Sequence, residues 1–188
     1  LIPYIDIWEF HRVSAMELFL KWNKEGKVEL KKEDIYGYYT GAIITHPYEI
    51  GRLKGWDSWY LSLKFYSDYA YVRPGSNEYR VFSPGEIPVS SPVWEGIRDG
   101  NRDFEYLNLM NELIEKLKKI KKYEKELKEI ENKISYLIGE GGYIKWTPES
   151  RSGFFYHKVE SSSVNIRKAK KEVLEIIEKI QSLLGGEK

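Results

Sequence analysis

The sequence predicts an α/β fold continued by a long helical hairpin, and three observations carry that prediction. β-Branched and aromatic runs alternate with helix-period segments over residues 1 to 72, in the order β, α, β, α, β. Five of the six Trp and six of the seven Pro lie before residue 95. The segment from Asn111 to Ile138 has neither and holds 14 Lys or Glu among 28 residues. Strands alternating with helices of this length form parallel βαβ units, in an open doubly wound sheet or a barrel. The compositional shift divides the chain into an aromatic part, residues 1–110, and a Lys/Glu-rich helical extension, residues 111–188.

In chain order, the apolar run from Leu1 to Trp8 reads as a buried strand. Ser14 can cap a helix from Ala15 to Lys24 whose Leu18, Phe19 and Trp22 share a face, and Gly26 ends it. Asp34 to Thr40 is a second strand. Pro47 starts a helix with Ile50, Leu53, Trp56, Tyr60, Leu61 and Lys64 at spacings of three and four, and Asp68 to Val72 is a third strand. Arg73 to Pro92 holds four prolines with Gly75 and Gly85, the composition of a long loop.

A helix is predicted from Pro92 or Asp99 to Ile138. Its Leu113, Leu117, Ile120, Leu127, Ile134 and Ile138 form a nearly heptad series interrupted by Glu124 and Glu131. Pairs such as Glu112 with Lys116 and Glu129 with Lys133 support it at i, i+4. After a break at Gly139, Gly141 and Gly142, a last helix from Ser162 to Leu184 presents Ile166, Ala169, Val173, Ile176, Ile177, Ile180 and Leu183. The two stripes match well enough to zip as an antiparallel hairpin, which could also bury against a second subunit.

Composition excludes several function classes. Lys plus Arg number 30 against 29 Asp plus Glu, a net charge of +1, which supplies no broad cationic field for nucleic acid. No run approaches the roughly 18 apolar residues of a membrane span. Zero cysteines remove disulfides, thiolate metal sites and a cysteine nucleophile. The abundance of Lys and Glu agrees with a hyperthermophilic source. Leu1 opens directly into a strand-like run without the features of a signal peptide, as in a chain that continues something longer or has been trimmed.

The segment SSPVWEGIRDGNRDFEYLNLM carries a distinctive pattern in Arg98, Asp99, Gly100, Asp103, Phe104, Glu105, Tyr106 and Leu107. It resembles a pattern near the C-terminus of glycoside hydrolase family 123-like proteins. The upstream order resembles theirs too: a strand ending in Asp6, Ile7 and Trp8, one with adjacent Tyr38 and Tyr39, and a helix around Trp56 and Trp59. The likeness covers residues 1 to 110, with Phe104 where the family has Tyr. It implies the last three βα units of a (β/α)8 TIM-type barrel, whose other strands come from an upstream part or a partner chain. It also implies a carbohydrate-active protein acting on N-acetylhexosaminides, with a glycan or glycoside as partner, no cofactor, and an extracellular or cell-surface location. The family's catalytic Asp-Glu pair lies upstream of the matched region, and no Asp-Glu dipeptide occurs here. The alternative is a non-catalytic surface or assembly protein that keeps the scaffold and oligomerises through the hairpin.

On the barrel reading, Asp6, Trp8 and Glu9 stand at a strand end, where barrel enzymes place substrate-contacting groups. Trp8 would stack on a sugar face and Asp6 accept from its hydroxyls; packing under the next loop is the bland alternative. Tyr38 and Tyr39 alternate in their strand, so one faces the interior or pocket and the other the helices. Three scattered His without metal spacing give no ground for a metal site. Serines without a G-x-S-x-G turn, and GEGG without a following Lys-Ser/Thr, support neither a nucleophile nor a phosphate loop. Asp99 and Asp103 are expected to complement a helix dipole, with Arg98 pairing back onto the barrel.

Overall fold

The structure is a computed structural model that describes residues 7–11, 21–27, 35–41, 47–60, 62, 65–69, 81–82, 89–139, 141–151 and 154–186. In chain order its elements are β1 (Ile7–His11), β2 (Ile35–Gly41), α1 (Pro47–Tyr60), β3 (Phe65–Tyr69), β4 (Val81–Phe82) and β5 (Val89–Ser90). There follow α2 (Pro92–Leu117), a 3-10 turn (Lys121–Tyr123), α3 (Glu124–Ser135), β6 (Lys145–Arg151), β7 (Phe154–Glu160) and α4 (Ser163–Gly185).

Each helix boundary has a local cause. The turn at residues 21–24 stops before Gly26, whose φ of 68° is one that L side chains rarely adopt. Pro47 opens α1, and beyond its end Ser62 sits at φ 56° and donates its backbone N–H to the Trp59 carbonyl at 3.0 Å. Ser91 caps α2 by accepting from the Trp94 N–H at 3.2 Å, with Pro92 in the first turn where its missing N–H costs nothing. Ser162 caps α4 in the same way, accepting from the Asn165 N–H at 3.2 Å.

Helix packs on helix at the centre. The hydrophobic cluster joins Leu53 and Trp56 of α1, Leu107, Met110 and Leu117 of α2, Ile130 of α3, and Ile166, Val173, Ile176 and Ile180 of α4. Leu137, Ile138 and Ile144 enter from the turn after α3. Each such side chain contributes about 1.5–3 kcal/mol by leaving water. The Asp103 carboxylate of α2 meets Lys170 early in α4, and the Tyr123 hydroxyl donates to the Leu183 carbonyl near its end, so α2 and α4 run the same way. Between them α3 returns antiparallel to α4, with Lys133 on Glu172 and Lys179 on Glu129, both at 3.0 Å.

This architecture corrects the expected α/β barrel fragment. The protein is mostly helical, and its described core is drawn from helices and one turn. β1, β2 and β3 pair in parallel in the order β1-β2-β3, with Ile7 opposite Ile35 and Gly37 opposite Phe65. Among the described residues these strands pair only with one another and no barrel closes, whereas a (β/α)8 barrel needs eight such strands. β4 with β5 and β6 with β7 form separate antiparallel pairs. The expectation of further strands from an upstream part or a partner chain rested on that barrel.

The expected continuous helix to Ile138 is also corrected. It stops at Leu117, Ile120 is extended at φ −113° and ψ 97°, and the chain restarts at Glu124. The break swings Ile130 and Leu127 back onto the core that Leu113 and Leu117 already share; an unbroken helix would carry them away from it. A three-helix arrangement of α2, α3 and α4 therefore replaces the two-helix hairpin. Among the described residues, no helix is long and apolar enough to cross a membrane.

Candidate functional site

Among the described glycines, the closest backbone approaches lie where α1 crosses α2. Gly51 and Gly55 on α1 face Gly96 and Gly100 on α2, each pair four residues apart on one helical face. A Cβ at Gly51 would fall 2.5 Å from the Val93 carbonyl oxygen, and one at Gly100 would fall 2.5 Å from that of Arg52; Gly55 and Gly96 leave still less room. Residue numbers rise together along both helices at the contact, so the crossing is parallel. Backbones in such contact exchange dispersion and weak Cα–H···O attraction that larger side chains would prevent.

The crossing aligns a polar row. Tyr48, Arg52 and Trp56 follow one another at i, i+4 and i+8 on α1, opposite Asp99 and Asp103 at i, i+4 on α2. The Tyr48 hydroxyl donates to Asp99 Oδ2 at 2.6 Å. Arg52 donates through Nε to Asp103 Oδ2 at 2.6 Å and through a terminal nitrogen to Oδ1 at 3.2 Å. Trp56 Nε1 donates to the same Oδ2 at 3.0 Å, and Lys170 Nζ of α4 lies 2.9 Å from Oδ1. The Asp103 side chain is 0% exposed. Lys170 Nζ also sits 5.0 Å from the Tyr106 ring centroid, a cation–π contact.

Electrostatics follow from this enclosure. Burial is the first reason the Tyr48 phenol is held above its ordinary value, and its hydrogen bond to Asp99 adds to the effect. Burial acts against the charged Arg52 guanidinium, but the hydrogen bonds and charge of Asp103 outweigh it and raise its pKa. A carboxylate that receives four donors from two neighbouring helices has its acceptor positions taken up by the protein itself. Such an arrangement holds helices together. The rest of α1 matches this: Gly51 to Ser58 is buried throughout, and Lys54 and Asp57 also have interaction partners.

The residues expected at a pocket fall elsewhere. Asp6 lies outside the described residues. Trp8 and Glu9 are in β1, opposite Tyr36 and Gly37 of β2, while Tyr38 and Tyr39 are in β2, opposite Phe10 and His11. The backbone thus brings the two pairs onto adjacent strands. Arg98, expected to reach back to a barrel, pairs instead with Glu95 on its own helix. Because α2 begins at Pro92, Asp99 and Asp103 lie beyond its first turn and bind α1 and α4. Among the described residues, no group of three or more His, Asp or Glu could hold a metal ion.

No family model, curated protein or solved structure matches the chain. The conspicuous residues of the R-D-G segment have a packing explanation here: Gly100 admits α1, Asp103 binds it, and Leu107 is fully buried beneath it. The barrel behind the expected glycoside hydrolase is overturned, and nothing in the helical body supports that activity. Sequence reasoning passed over Tyr48, Arg52 and Lys170 as site residues. The usable signal was the pair of G-x-x-x-G spacings, GRLKG and GIRDG, flanked by complementary charges.

Proposed function

We propose that the helical body is a non-catalytic assembly module that self-associates through its helices. The observation that carries this reading is the enclosure of Asp103, the most buried acid of the distinctive segment, by Arg52, Trp56 and Lys170. Its chemistry is consumed in fixing α1, α2 and α4 as one rigid unit. What that unit offers outward is the outer side of α2, where Trp94 and Leu109 are exposed beside Arg98 and Arg102, with the exposed Tyr106 at its α4 edge against Lys170. Trp, Tyr and Arg are the residue types enriched at protein interfaces.

Sedimentation equilibrium over a wide concentration range tests the reading. Reversible self-association of the 22.2 kDa chain is expected. A monomer at every concentration would overturn it. So would hydrolysis of an aryl N-acetylhexosaminide that Asp103→Asn abolishes without lowering Tm, because a structural acid cannot be removed silently.

A further inference from the structure

We infer that two copies associate by exchanging their C-terminal helices: α2 and α3 straighten into one helix, and α3 and α4 of each chain close onto α1 and α2 of the other. This rests on the self-association just proposed and names its route. The observation that carries it is the reversal between Leu117 and Glu124. Lys118 already has α dihedrals at φ −55° and ψ −26°, Lys121–Tyr123 is one turn of 3-10 helix, and Glu124 is α again at φ −58° and ψ −36°. Ile120, at φ −113° and ψ 97°, is the extended residue where the chain turns back, and Tyr123, at φ −104° and ψ 20°, completes the turn.

The residues of this run do not themselves require a bend. Lys118 to Tyr123 holds four lysines and neither Gly nor Pro, and Lys is among the stronger helix formers. A straight helix sets Lys119 at i, i+4 from Glu115 and carries the apolar series from Leu113 and Leu117 through Ile120 to Leu127. Lys118 with Lys122 and Lys121 with Lys125 repel at the same spacing, which keeps the bent form competitive. Within one chain, the bend is what brings Leu127 and Ile130 onto the core of Leu113 and Leu117. Between two chains, a straight helix delivers the same residues to the same seat.

Apart from the hinge, the exchange needs no surface that the structure does not already show in contact. α3 stays with its own α4 through Lys133 on Glu172 and Lys179 on Glu129. The contacts that change hands are those of α3 and α4 with α1 and α2. They are Lys170 at 2.9 Å from Asp103, the Ser163 hydroxyl donating to Glu49, and Ile130, Ile176 and Ile180 clustered with Leu113 and Leu117. Each Asp103 is then completed by Lys170 of the second copy. Bent monomer and exchanged dimer differ only at the hinge, so concentration decides between them, as in other exchanges of identical elements.

Cross-linking tests the route, and the chain has no cysteine of its own to interfere. Glu49→Cys and Ser163→Cys are made in separate chains, mixed at high concentration, loosened in mild urea and returned to buffer, because exchange must first open the core. A short bismaleimide should then yield a covalent dimer in the mixture and none in either variant alone, since only exchange sets the two positions side by side. The double variant, kept dilute, should cross-link within one chain, which confirms that the pair is in reach. Ile120→Gly should lower the association constant about fivefold, because each dimer carries two straight hinges and Gly is the poorer helix former, and Ile120→Ala should raise it by a similar factor. If the parent associates but the mixture yields no covalent dimer, or both Ile120 variants associate as the parent does, the exchange is overturned while self-association stands. If the parent is monomeric throughout, both are overturned.

Discussion

Substituting Gly100 by Ala should destabilise the protein even though Ala is the better helix former. The added Cβ would lie 2.5 Å from the Arg52 carbonyl oxygen and 3.1 Å from its carbonyl carbon. Carbon and oxygen in favourable contact stand about 3.3–3.6 Å apart, so the helices must part by roughly 1 Å. The obstacle is backbone and cannot rotate away. Parting also stretches the Arg52–Asp103 pair, which closes at 2.6 Å. Overpacking of this kind costs about 3 kcal/mol at the top of its usual range, against about 1 kcal/mol gained in helix propensity. The net loss of about 2 kcal/mol corresponds to a Tm lower by about 4–8 °C for a chain of this size. Gly185→Ala is the control, since nothing lies within 4 Å of a Cβ there, and it should leave Tm unchanged or slightly higher. Thermal denaturation followed by circular dichroism reads both. A Gly100→Ala protein as stable as the parent would refute the close crossing.

Tyr48→Phe should flatten part of the stability loss at alkaline pH. The raised phenol pKa means that the unfolded chain releases this proton first, so the contribution is complete below about pH 10 and fades as pH rises through the folded value. Urea midpoints from pH 8 to 11 should fall less steeply for Tyr48→Phe than for the parent; identical slopes would count against the Tyr48–Asp99 bond. Ser91→Ala and Ser162→Ala should each cost about 1 kcal/mol in urea denaturation, from loss of the caps on α2 and α4. A cost near zero at either would show that its helix starts elsewhere.

Local chemistry made parts of the helical body legible. Ser162 and the stripe from Ile166 to Ile180 mark α4 because a capping hydroxyl and 3.6-residue periodicity act within one segment. Gly26 marked a helix end for the same reason. The break between Leu117 and Glu124 had no such mark. The run Lys118, Lys119, Ile120, Lys121, Lys122 and Tyr123 contains neither Gly nor Pro, and it bends because burying Ile130 on α4 outweighs continuing the helix. The barrel reading failed because alternation of strand-like and helix-like segments does not state how many strands close together. The polar site was hidden by distance along the chain. Arg52 and Asp103 are 51 residues apart, and α1 is buried on both its apolar and its polar sides, so it has no amphipathic stripe to show which face meets α2.

The central claim is that Asp103 locks the helices together, and a double-mutant cycle on Arg52 and Asp103 tests it most directly. Asp103→Leu leaves Arg52 buried without its partner and should cost about 3–5 kcal/mol of unfolding free energy. Arg52→Met should cost less, because Lys170 still answers the carboxylate. The double variant should be more stable than the sum of the two losses predicts, by about 1–3 kcal/mol, since neither charge is then stranded. Additive losses, or an Asp103→Leu protein that melts with the parent, would contradict the claim.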